Sequence, residues 1–113
     1  MKYLMLLMET ETASRLDPAA REAWMAEVRA WYDRAEGNGA LADAGHELTG
    51  PETARTIRAG GVVDGPFMET KEVLGGYCVI EAGTIDEAVA FASTWPGIDR
   101  GYITVEVRPV VPH

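Results

Sequence analysis

The residues best suited to chemistry crowd into one stretch, Asp64-Gly65-Pro66-Phe67-Met68-Glu69-Thr70-Lys71-Glu72-Val73-Leu74-Gly75-Gly76-Tyr77. Carboxylates held at a cleft mouth can take protons, and Asp64 and Glu69 are the candidates for that role. Lys71, with Arg58 just upstream, would hold an anion. His46, the sole internal histidine, would serve as a further acid or base. Glu106, on the closing segment, would join Arg58 in binding a small polar molecule if both line one space.

Each of these residues has a plainer reading. Asp64-Gly65-Pro66 is a turn sequence whose carboxylate can accept from nearby backbone N–H groups. On one helical turn Glu69 and Glu72 share a face with Lys71 aside, and solvated ion pairs there contribute little. Arg58 and Glu106 could simply belong to outward polar faces. Gly65, Pro66, Phe67, Gly75 and Gly76 are read as structural members of the loop. Gly75-Gly76 runs into a strand rather than a helix N-terminus, which excludes a phosphate cradle.

Other chemistries find little support. No Cys/His/Asp/Glu set has zinc spacing, so no metal is assigned. Nor is a cofactor: Trp24 and Trp31 could wall a flat ligand such as haem, but at helical spacing they read as core. There is no Gly-x-Ser-x-Gly elbow, and the lone Cys78 sits in an apolar run where a thiolate is costly. One cysteine also rules out an intramolecular disulfide and suits a reducing cytoplasm.

The whole chain bounds the scaffold. Its 113 residues fit one domain, 1–113. The net charge of −8, without any Lys/Arg cluster, argues against nucleic acid. No segment approaches the length of a membrane span, and the apolar start meets Glu9 and Glu11 too soon for a signal peptide.

Tyr3 to Met8 is an apolar run of strand length, and Glu9 to Leu16 reads as a loop. Asp17-Pro18 opens a helix whose stripe is Trp24, Val28, Trp31 and Ala35, stopped at Gly37-Asn38-Gly39. Ala40 to Leu48 predicts a strand, with a bulge at Gly45. Thr53 to Ala59 and Val62-Val63 predict a hairpin arm turning at Gly60-Gly61 through positive φ angles. Tyr77 to Ala82 is another strand. Thr84 and Glu87 form a capping box for a helix with the stripe Ile85, Ala88, Val89 and Ala92. Tyr102 to Val110 alternates, with Ile103, Val105 and Val107 inward.

That order predicts an α+β fold, a ferredoxin-like βαββαβ with an extra hairpin arm and two helices on one face of an antiparallel sheet. Such a sheet normally leaves its other face wet. Tyr3 to Met8 and Tyr77 to Ile80 do not alternate, so a second copy is expected to cover that face.

The string DGPFMETKEVLGGY resembles the signature of the bacterial YCII-related family, in particular its DGPF subgroup. The start MKYLMLLM and the closing VEVRPV are similar to that family too. The resemblance implies a dimeric α/β barrel built from ferredoxin-like units. It also implies a regulatory possibility, since some members resemble products of genes beside extracytoplasmic-function sigma factors. YciI-type relatives pair a helix histidine with an aspartate after the second helix, a proposed catalytic dyad. Here Pro18 to Glu36 contains no histidine, and the corresponding face carries Trp24, Val28 and Trp31. No dyad is carried over.

Three functions stay open at this stage. An enzyme would use Asp64 or Glu69 as proton acceptor. A binding module would hold an effector with the same residues, in a cleft beside the Asp64 loop. A regulatory protein would offer its acidic surface to a sigma factor.

Overall fold

Strand β1 (Lys2–Glu9) lies between β5 (Val73–Glu81) and β6 (Ile103–Pro109), antiparallel to both. Strand β2 (Leu41–Glu47) pairs with the outer side of β5, giving the order β2-β5-β1-β6. Helices α2 (Pro18–Gly37) and α3 (Ile85–Ala92) make the two crossovers, which is the ferredoxin-like βαββαβ arrangement. The computed structural model describes residues 1–65 and 72–113.

Local chemistry explains the helix starts. Asp17 accepts from the Ala20 N–H at 2.8 Å, with Pro18 in the first turn where its missing N–H costs nothing. Thr84 caps α3 by accepting from the Glu87 N–H at 3.1 Å. Glu87 reaches back to the Gly83 N–H at 2.8 Å, one residue before the cap. A third helix, α1 (Glu11–Ser14), lies where a loop was expected. Thr10 starts it by accepting from Ala13, and the buried Ala13 methyl holds it to the core.

One face of the sheet carries the core. Tyr3, Met5 and Leu7 alternate inward on β1, Cys78 and Ile80 on β5, and Ile103 on β6. Trp24, Trp31 and Ala35 of α2 close over them. Trp31 packs against Phe91 and Trp95 at ring distances of 5.1 and 4.7 Å, and its Nε1 donates to Thr94 Oγ1 at 2.8 Å. The stripe of α3 is rotated from the expected one. Ala88 and Ala92 are buried with Phe91 packed beside them, while Ile85 and Val89 face outward. Two alanines let the short helix approach the sheet closely, and Phe91 then fills the space.

Strands β3 (Arg55–Arg58) and β4 (Gly61–Asp64) form a separate two-stranded arm after a single 3-10 turn, Pro51–Thr53. Arg58 pairs with Gly61, so the tight turn is Ala59-Gly60. Of the expected Gly60-Gly61 pair only Gly61 has a positive φ, 128°. Ile57 is 80% exposed and Val62 63%, so the arm leaves apolar surface open.

The chain measures 43 × 42 × 19 Å, and its radius of gyration of 15.2 Å exceeds the ~13 Å expected of a compact domain this long. Nineteen ångströms accommodates one sheet and one helix layer. Among the described residues no helix or second sheet covers the other sheet face. It presents Leu4, Leu6 and Met8 of β1 beside Tyr77 and Val79 of β5. Among the described residues no helix is long and apolar enough to cross a membrane.

Candidate functional site: a cavity between α2 and the sheet

Trp24 and Trp31 are separated on the α2 stripe by Val28, a short side chain between two large ones. Opposite that gap the sheet presents glycines: Gly45 of β2 and Gly75 and Gly76 of β5. With so little side-chain volume on either wall, a cavity of about 350 Å³ is left between helix and sheet. That is within the ~300–1,000 Å³ range of small-molecule sites.

The walls are mostly apolar, from Leu7, Met25, Val28 and Ile103 together with the rings of Trp24, Tyr32 and Trp95. Glu9, Glu36 and Glu47 supply carboxylates. Glu9 is tied to Arg21 at 2.8 Å, and the Arg21 guanidinium lies 5.6 Å from the Trp24 ring centre. The Trp24 Nε1 donates to the Pro96 carbonyl at 2.8 Å. Trp95 differs: its Nε1 is buried and has no hydrogen-bond partner among the described residues. An unpaired buried donor is uncommon enough to need a cause.

Burial holds the Tyr32 phenol protonated well above its usual range, with the Cys78 thiol and the Glu47 carboxylate adding to the effect. Burial also pushes Cys78 up to about 11; contact with Tyr32 opposes this and the Asp43 charge reinforces it. Neither group is a nucleophile at neutral pH, and the Cys78 sulfur packs 3.7 Å from that of Met5. Among the described residues no three His, Cys, Asp or Glu side chains gather as a metal site requires.

Among the described residues, those expected to act together do not gather at one site. Asp64 is 89% exposed and pairs across the arm with Arg55 at 3.1 Å. Pro66, two residues on, has no N–H to offer. Arg58 sits at the other end of the same ladder, three residues or ~10 Å along the strand. Glu106 is exposed on the uncovered sheet face, 4.0 Å from Arg108. His46 is exposed too, and its Nδ1 meets the Tyr77 hydroxyl at 2.9 Å. Glu69, Lys71, Pro66 and Phe67 lie outside the described residues.

The loop glycines have distinct reasons. Gly65 has a φ of 89°. Gly76 has no room for a side chain, since a β-carbon would stand 2.9 Å from the His46 carbonyl oxygen. Gly75 is the extra residue of a bulge: Leu7 pairs with Gly76 and Met8 with Leu74. Gly75 and Gly76, with His46, are the expected site residues that do line the cavity.

The model of the YCII-related domain matches residues 1–113. The chain belongs to the YCII-related family. An uncharacterized protein of Rhizobium meliloti (strain 1021) is 43% identical over 49 residues, a match spanning 43% of this chain and 40% of that protein. Among solved structures, the fold is similar to that of 5-chloro-2-hydroxyhydroquinone dehydrochlorinase (TftG) from Burkholderia phenoliruptrix AC1100, in complex with 2,5-dihydroxybenzoquinone. The TM-score is 0.55 at 16% identity, over 100% of this chain and 96% of TftG. At that identity the likeness is one of fold.

In this YCII-related chain sequence reasoning passed over Tyr32, Glu36, Glu47 and Trp95. The available signal was Val28, a gap in an otherwise aromatic stripe. What faced the gap depended on strand pairing that periodicity alone does not give.

Proposed function

We propose that this YCII-related protein binds a small molecule in the cavity between α2 and the sheet, and that two copies pair through their uncovered sheet faces. The cavity carries the reading: it is largely apolar, of ligand size, and walled in part by Trp24, Tyr32 and Trp95. Gly75 and Gly76 line it, so the signature loop ends at the site even though Asp64 stands away from it. The TftG complex, in which the same fold accompanies a flat, ring-shaped molecule, supports the reading by analogy of fold. Should a reaction follow binding, Glu9 is the carboxylate best placed to take a proton. It lines the cavity and is oriented by Arg21.

The dimer reading rests on the continuous apolar strip of Leu4, Leu6, Met8, Tyr77 and Val79. A second sheet laid on that strip would bury it.

The experiment is to fill the gap. Wild type is expected to bind the neutral probe 1-naphthalenemethanol, read by equilibrium dialysis. Val28→Trp, with an unchanged circular dichroism spectrum, should bind it at least about tenfold more weakly. Equal binding by a folded Val28→Trp would place the probe elsewhere and end the reading.

A further inference from the structure

Strand pairing arranges the sheet face turned away from α2 and α3 in rows. Three rows are apolar at their centre: Leu4 beside Val79, Leu6 beside Tyr77, and Met8 beside Leu74. Two of the three carry polar residues at both ends. One row runs Asp43, Val79, Leu4, Arg108, and the next runs His46, Tyr77, Leu6, Glu106. On the first the acid stands on β2 and the base on β6; on the second the imidazole stands on β2 and the acid on β6. The His46 Nδ1 meets the Tyr77 hydroxyl at 2.9 Å, which leaves Nε2 as the second ring nitrogen able to bond. Glu106 stands 4.0 Å from Arg108, and both are exposed.

This pattern decides how a second copy fits. Face-to-face sheets keep their strands within about 30° of one another, and a two-fold axis that exchanges them lies in the plane between them. An axis across the strands sets each strand on its own copy. Covering all three apolar rows then centres the axis on the middle row, so that His46 meets the partner's His46 and Glu106 meets the partner's Glu106. Carboxylates placed against each other repel. An axis along the strands sets each row on its own copy, end for end. Strand β2 then faces β6 of the second copy, all three apolar rows stay covered, and opposite ends are complementary.

We propose that two copies of this chain pack about an axis along the strands, with Asp43 against the partner's Arg108 and His46 against the partner's Glu106. The inference rests on the dimer reading and specifies the orientation of the copies and their polar contacts. The apolar rows hold the copies together. The row ends select the orientation.

Exchanging the row ends tests it, with dimer dissociation read by sedimentation equilibrium at low salt. Glu106→Lys replaces the acceptor facing His46 with a cation and should weaken the dimer about tenfold or more. Adding His46→Glu should restore it to within about threefold of wild type. Both side chains are exposed, so the fold tolerates the exchange. Arg108→Glu, followed by Asp43→Lys, is the independent second exchange, and the same loss and recovery are expected. A dimer indifferent to Glu106→Lys and Arg108→Glu, or one that neither added substitution restores, would overturn the orientation while leaving the dimer in place. A wild type that sediments as a single chain at micromolar concentration would remove the dimer reading and this inference together.

Discussion

Gly45 lies so close to Tyr77 that a β-carbon on it would stand 1.8 Å from the Tyr77 carbonyl oxygen. Its φ of 67° is the left-handed region, and the β2–β5 register shifts on either side of Asp43 before pairing resumes at His46. Glycine is required twice over, by conformation and by space. Gly45→Ala would cost about 1–2 kcal/mol in backbone strain alone. Pushing β2 off β5 adds to that, so the melting temperature is expected to fall by more than about 10 °C. A melting temperature within a few degrees of wild type in a thermal scan would show that the bulge accommodates a side chain.

Asp64 was the leading catalytic candidate from sequence and stands 89% exposed in an ion pair with Arg55. Exposed pairs contribute little, so Asp64→Asn should melt within about 4 °C of wild type. It should also bind 1-naphthalenemethanol as wild type does. Loss of binding with an intact fold would return the site to the signature loop.

The uncovered sheet face predicts an assembly. Wild type should scatter light as a two-chain species at micromolar concentration. Leu6, at the centre of the apolar strip, pairs with Tyr77 on one side and Glu106 on the other. Leu6→Lys should give a folded single chain, because a charge at the seam loses its water without gaining a partner. A monomeric wild type sinks the prediction.

Stability should fall at alkaline pH. The Cys78 thiol titrates near 9.0 when unfolded and is pushed up to about 11 in the fold. A raised folded pKa means that its contribution is complete below pH 9 and is lost as the pH climbs towards 11. The full loss amounts to about 2–3 kcal/mol, with Tyr32 extending the decline at higher pH because its shift has the same direction. Urea denaturation at pH 7 to 11 measures it. Cys78→Ala should remove the slope between pH 9 and 10, whatever its effect at neutral pH. An unchanged slope would assign the decline to other groups.

Much of the fold was legible because it rests on local rules. Asp17-Pro18, the Thr84 cap and the alternation of Ile103, Val105 and Val107 each specify a start or an inward face within a few residues. Of the expected α3 stripe Ala88 and Ala92 are buried, but Ile85 and Val89, its more hydrophobic members, face outward because packing selected Phe91 in their place. Helix α1 was missed because four residues carry no periodicity. The cavity was illegible for a different reason. It is made of side chains that are absent, at Gly45, Gly75 and Gly76, or short, at Val28, brought opposite one another only by tertiary pairing. Charge-bearing residues drew attention to positions 64–72, while the hollow lay where the sequence offers only glycines and one short valine.

The bulge at Gly75 has a consequence for reading any relative of this chain. Downstream of it, even-numbered residues of β5 (Gly76, Cys78, Ile80) face the helices. Upstream, Leu74 pairs with Met8, which lies on the opposite face. The strand thus changes parity at a single residue. Removing Gly75 would restore uniform alternation and leave Leu74 opposite Met8, on the face turned away from α2. Inward and outward positions must therefore be counted separately on the two sides of position 75. A single-residue gap there in a homologue would signal a strand without the bulge, whose faces can be counted straight through.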